Sequence, residues 1–220
     1  MTKDMASRQN RILAGIGGIC GVLLLGLSFA INSGPSGGAS DAQLLEFAQH
    51  NYAQVLWGAW LQAFGPALIV LFAFSLVHIA GAEHRLVGWM TLFGAASLMT
   101  VSLVEVTFYI TALHQRPPSI GAMSLGVISA VQHLYFVIAG PAVFLPLGMI
   151  LRGSDVLPKL FGYLAIALAI LFFVIGAIYM QTLTLPDPVT VLGAVQALWW
   201  LAAAVALILR SRRYVEPTAA

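Results

Sequence analysis

Apolar residues run through this chain in six long blocks separated by short polar stretches. The blocks cover approximately residues 11–31, 52–80, 86–113, 123–151, 158–182 and 189–210. Each suffices to cross a bilayer, which takes about 20 mostly apolar residues. The strict alternation of a lipid-facing barrel strand is absent, and six strands could not close a barrel. In lipid, each backbone donor and acceptor must find its partner within its own segment. The pattern therefore predicts an all-α polytopic membrane protein with six transmembrane helices. Residues 1–220 are expected to form a single membrane domain.

Between the blocks, "GAEHR" (81–85) and "RGSDVL" (152–157) are short. The other three connections are "HQRPPSIGA", "TLTLPDPV" and the longer "NSGPSGGASDAQLLEFAQHN". In the last, Ser40 and Gln43 fit a capping box, with the N-cap hydroxyl and the N3 amide satisfying each other's backbone. Leu44, Phe47 and Ala48 then share one helical face, and Gln43, Glu46 and His50 another. This predicts a short interfacial helix before span 2. The alternative is an uninterrupted extension of span 2.

Composition agrees with the pattern. The 220 residues are 60% hydrophobic and 8% charged. A soluble domain carries about 25% charged residues. Charge placement adds direction. Nine of the ten Lys and Arg residues fall on one side: Lys3, Arg8, Arg11, Arg85, Arg152, Lys159, Arg210, Arg212 and Arg213. Only Arg116 falls on the other. By the positive-inside rule, both termini are expected in the cytoplasm of a cell whose plasma (inner) membrane holds the protein. The first block has the basic start and the small-x-small triplet Ser28-Phe29-Ala30 of a signal peptide. Its apolar run of about 18 residues is long for that role, so it is expected to stay as span 1.

Span 1 opens "RILAGI", span 3 "HRLVGW" and span 5 "PKLFGY". Span 2 contains "FGPAL" and span 4 "AGPAV"; span 4 contains "AVQHLYF" and span 6 "AVQALWW". Three parallel copies of one helical hairpin explain these echoes, and shared apolar composition is the competing explanation. Gly58, Gly65, Gly88, Gly94, Gly126, Gly140 and Gly193 are expected at close helix contacts. Pro66, Pro141 and Pro146 lie inside spans and are expected to kink them.

Glu105, in "TVSLVEVTFYIT", is the residue least suited to its surroundings. It lies ~8 Å from the middle of span 3 toward the outside, and His133 lies ~6 Å from the middle of span 4 on the same side, at 1.5 Å per residue. Gln62, Gln132 and Gln196 fall near that level, and Tyr109 one turn further out. On span 3, Gly94, Leu98, Ser102, Glu105 and Tyr109 form one stripe, opposed by Phe93, Met99, Leu103, Val106 and Ile110. On span 4 the stripe is Gly126, Ser129, His133 and Gly140, and on span 2 it is Gly58, Gln62 and Gly65. These stripes are expected to face inward. Beside His133, Glu105 would share a proton or form an ion pair.

The candidate ligand-binding residues are Glu105, His133, Gln132, Gln62, Ser102, Tyr109 and Gln196. Ionisable residues at this depth are functional candidates. Three readings follow. The layer is a hydrogen-bonded girdle between helices; or it binds a small or amphipathic molecule, a lipid headgroup or a cation; or Glu105 and His133 serve proton-coupled transport or catalysis. The inner half has few deep polar residues, which counts against transport. A further alternative is an accessory subunit packed against a larger membrane complex. The sequence assigns no catalytic residue and leaves any cofactor unknown.

One His, one Glu and amides make a poor zinc site. Haem ligation lacks a second deep histidine, since His78 and His84 lie at the opposite end. Cys20 is alone, so neither a disulfide nor a cysteine metal motif exists. There is no Gly-rich phosphate loop, HExxH or GxSxG motif. The lipid bilayer is the expected partner, with a small-molecule or lipid ligand or a membrane protein besides, and no nucleic acid. Trp57 and Trp89 fit interfacial belts, and Trp60, Trp199 and Trp200 are expected to pack the bundle. The C-terminal "RSRR" orients span 6 and is suited to anionic lipid.

The opening "RILAGIGGICGVLLL", the Ser/Asp-rich loop and "FGPALIVLFAFSL" resemble six-span bacterial integral membrane proteins of a domain of unknown function. The resemblance rests on hydropathy and glycine placement over most of the chain. It implies a bacterial plasma-membrane location and carries over no functional residue.

Overall fold

The computed structural model describes residues 2–32, 40–114, 118–179 and 187–213. All regular structure among them is helical: α1 (Thr2–Ile31), α2 (Asp41–His50), α3 (Tyr52–Ile79), α4 (Leu86–His114), α5 (Pro118–Leu134), α6 (Gly140–Arg152), α7 (Lys159–Tyr179) and α8 (Asp187–Arg213). A π-helical turn, Tyr135–Ala139, joins α5 directly to α6. Six stretches are long and apolar enough to cross a membrane: Arg8–Ile31, Tyr52–Ile79, Leu86–Thr111, Ala130–Arg152, Lys159–Ile178 and Val191–Ser211. The fold class read from the sequence holds.

Helix α2 is a separate element. Ser40 accepts the Gln43 backbone N–H while the Gln43 side chain accepts the Ser40 N–H, completing the capping box. At its other end Asn51 leaves helical geometry (φ −112°, ψ 17°), and its side chain donates to the Phe47 carbonyl. An uninterrupted extension of span 2 is therefore excluded. Gln43, Glu46 and His50 are exposed, and α2 packs chiefly against α5.

Each span packs against its neighbours in the chain. Helix α1 lies on α3, α3 on α4, α4 on α5 and α6, α6 on α7, and α7 on α8; α8 returns to α1. The spans thus close a ring, filled at its centre by apolar side chains. Five aromatic residues dominate that filling: Phe72, Phe144, Phe172, Trp199 and Trp200, with ring centroids 4.9–6.0 Å apart in the contacting pairs. Trp60 differs from expectation. It faces outward, between Trp57 and Phe64, on a lipid-suited strip.

Glycines set the closest crossings. Gly21 and Gly65 oppose each other between α1 and α3, as do Gly148 and Gly162 between α6 and α7. A methyl on Gly94 would meet the backbone of Ala142 and Val143 on α6. Gly193 was expected at a contact, but a methyl added there would meet nothing among the described residues. Gly15, Gly88 and Gly162, which align in sequence, each face the preceding even-numbered span or its end, cyclically α8, α3 and α6. That likeness is local, and a three-fold repeat of the bundle is not established by it. The α3–α4 turn closes as a Schellman motif. Ala82 N–H reaches Val77 O, Gly81 N–H reaches His78 O, and Gly81 takes the left-handed φ of 62° that the motif needs.

Candidate functional site

The expected stripe of α4 is the buried one. Gly94, Leu98, Ser102 and Glu105 are buried and Tyr109 is half-buried, while Phe93, Leu103 and Ile110 are exposed. Met99 and Val106, on the same outer side, are only partly so. Glu105 retains 8% of its surface exposed. Gln62 Nε2, on α3, donates to Glu105 Oε2 at 2.8 Å. The side chain of Gln132, on α5, is the carboxyl's second hydrogen-bonding partner. Three spans thus meet at one carboxyl group.

Pro66 explains how Gln62 is held. Proline has no N–H, so the carbonyl four residues earlier loses its intrahelical donor. That carbonyl belongs to Gln62. Ser102 Oγ donates to it at 2.8 Å, from α4, one turn before Glu105. A neighbouring serine satisfying a proline-freed backbone group is a recurrent solution in membranes. Gln62 is therefore fixed to α4 by its backbone and to Glu105 by its side chain.

A second polar pair crosses the bundle. Tyr135 OH donates to Gln196 Oε1, joining the π-turn to α8. Tyr135 and Tyr109 both lie within electrostatic range of the Glu105 carboxyl. The π-turn has a local cause. Pro141 cannot donate to Val137, and the Gly140 N–H bonds five residues back, to Tyr135 O. The wider turn changes the phase of span 4, so residues before and after it do not follow one α-helical stripe.

The structure gathers Glu105, Gln62, Gln132 and Ser102 into one hydrogen-bonded unit, with Tyr109 beside it and Gln196 joined to Tyr135. His133 is buried at 7% exposure on α5, and the hydrogen bonds described at the carboxyl come from two amides. Those amides form a cradle for the carboxyl. The burial of Gly126 and the side chain of Ser129 lie outside the described residues. Tyr135 was missed from sequence because a regular stripe through His133 excludes it. The Gly140-Pro141 pair just after the widened turn was the available signal.

Among the described residues, no three His, Cys, Asp or Glu side chains converge to hold a metal ion. An open groove lined by Tyr52, Ala53, Leu56, Trp57 and Trp60 lies on the outward strip of α3, away from Glu105's partners. Fold and site together define a six-span helical protein suited to a bilayer, with a buried carboxyl cradled by amides. No family model, curated protein or solved structure matches the chain.

Proposed function

We propose that the protein is a plasma-membrane protein, with both termini cytoplasmic, whose outer-half polar cluster binds a small or amphipathic ligand at Glu105. The observation that carries this reading is the buried carboxyl held by two neutral amides from two other spans. A carboxylate in a low-dielectric interior is expensive when no charge compensates it. A purely structural girdle gains little from it, since interhelical hydrogen bonds contribute about 0.6 kcal/mol on average. The inward direction of Glu105 favours an internal site over a docking face for a partner subunit.

Orientation is supported by nine of ten basic residues lying at one end. The aromatic filling around Phe144 and Trp200 lies toward that end, closer to the basic connections than Glu105 does. Such apolar filling disfavours passage of a polar solute, so binding is a better-supported reading than transport. The test is purification in lipid nanodiscs followed by mass spectrometry of retained molecules. Wild type is expected to retain a molecule that Glu105→Gln loses while both melt cooperatively. Identical retained material, with identical thermal stability across pH, would refute a role for the carboxyl.

A further inference from the structure

We propose that the Glu105 cluster takes a protonated amine, an organic ammonium, as its ligand. This deepens the ligand-site reading above and rests on it. Glu105 is the only acidic residue in the six membrane-suited stretches. The lysines and arginines of those stretches lie at or near their ends: Arg8, Arg11, Arg85 just outside, Arg152, Lys159 and Arg210. None is a partner of the carboxyl, whose hydrogen bonds come from Gln62 and Gln132. Amide donors orient a carboxylate but leave its charge in place. A cationic ligand is attracted to such a site, an anion is repelled, and low dielectric strengthens both effects.

The hydrogen-bond inventory points the same way. An ionised carboxylate has about four lone-pair sites, and each glutamine oxygen adds acceptor capacity. Two amide donors leave the site rich in acceptors. An ammonium head has N–H donors and no acceptor. Tyr109 and Tyr135 are near enough to feel the carboxyl's charge, and the apolar span residues around the cluster suit the organic body of an amine, which a simple metal cation lacks.

The test uses the full chain in nanodiscs of phosphatidylcholine and phosphatidylglycerol. Benzylammonium, benzyl alcohol and benzoate are titrated separately, with binding read by calorimetry. Benzylammonium is expected to bind at least about tenfold more tightly than either counterpart, a difference large enough to resolve. Glu105→Gln should lose that preference, and Glu105→Asp, which keeps the charge, should retain it. Thermal melting identifies variants that fold. Benzyl alcohol binding as tightly as benzylammonium, and weakened by Gln62→Ala, would overturn the ammonium proposal and leave a ligand site standing. No binding of any probe to folded wild type would refute both. Phosphatidylethanolamine in the discs separates two sources of the amine. Competition with benzylammonium assigns the site to a lipid headgroup, and undiminished binding to a free amine; either supports the ammonium chemistry.

Discussion

Gln62 joins backbone and side-chain chemistry within one residue. Its carbonyl is freed by Pro66 and taken by Ser102, while its amide holds Glu105. Removing the hydroxyl with Ser102→Ala should leave a buried carbonyl unsatisfied, at about 1–3 kcal/mol. Ser102→Thr should keep most of that stability. The mechanism makes a sharper prediction through a double-mutant cycle. Pro66→Ala restores an N–H able to bond Gln62 O, so Ser102→Ala should cost less in that background. Equal losses in both backgrounds, measured by unfolding in mixed micelles, would show that proline does not create the need for Ser102. A different acid lies outside the spans. Glu83 has its carboxyl pKa held below the ordinary value, first by its own backbone N–H and then by the nearby charges of His78 and His84. A lowered folded pKa stabilises above the unfolded pKa, and that contribution is lost as pH falls through the folded value. Glu83→Gln should therefore flatten the stability loss between roughly pH 5 and pH 3, seen in melting curves.

Among elements, backbone proximity decides which glycines matter. Gly94→Ala would drive a methyl into the α6 backbone at Ala142 and Val143, which has no side chain to swing aside. Separation of α4 from α6 should follow, with a loss of about 1–3 kcal/mol as for other overpacking changes. Gly17→Ala meets open space and should be neutral or gain up to about 1 kcal/mol from helix propensity. Comparable losses for the two in thermal melts would remove the packing argument. This contrast also marks the boundary of what the sequence conveyed. Hydropathy fixes span positions, and three- and four-residue spacing fixes which side of α4 is buried, because both depend on one helix at a time. Gly193 carried the same local signal as Gly94, yet a methyl added there would meet nothing among the described residues. Partner identity depends on the ring order of six spans, which no single-helix period contains. The π-turn is a similar case: Pro141 is visible in the sequence, but the choice among kink, gap and widened turn depends on what packs around it. The amide cradle was legible as a shared depth for Gln62, Gln132 and Glu105. Which of the residues at that depth would donate to the carboxyl was not, because depth says nothing about azimuth.

For the whole molecule, the asymmetry between ends is the strongest remaining feature. Along their spans, Phe144 and Trp200 lie nearer the basic connections than Glu105 does. An insertion that follows positive charge places His84 in the cytoplasm and Gln43 outside. Both side chains are exposed, so a thiol at either is accessible, and Gln43→Cys gives up only the capping-box contact with Ser40. Cys20 is the sole cysteine and faces outward from α1. Cys20→Ser therefore gives a background in which one introduced thiol reports one location. With a membrane-impermeant maleimide on intact cells, Gln43→Cys should label at once. His84→Cys should label only after the membrane is opened. The reverse order would invert the protein and put the Glu105 cluster in the cytoplasmic half, where an ammonium ligand would have to come from inside the cell. Labelling of both positions on intact cells would mean mixed insertion, which nine basic residues at one end against one at the other argue against. Arg116 is the single opposing charge. Replacing it by Arg116→Gln should leave the pattern unchanged, whereas neutralising Arg85 together with Arg152 and Lys159 should begin to admit the reverse insertion.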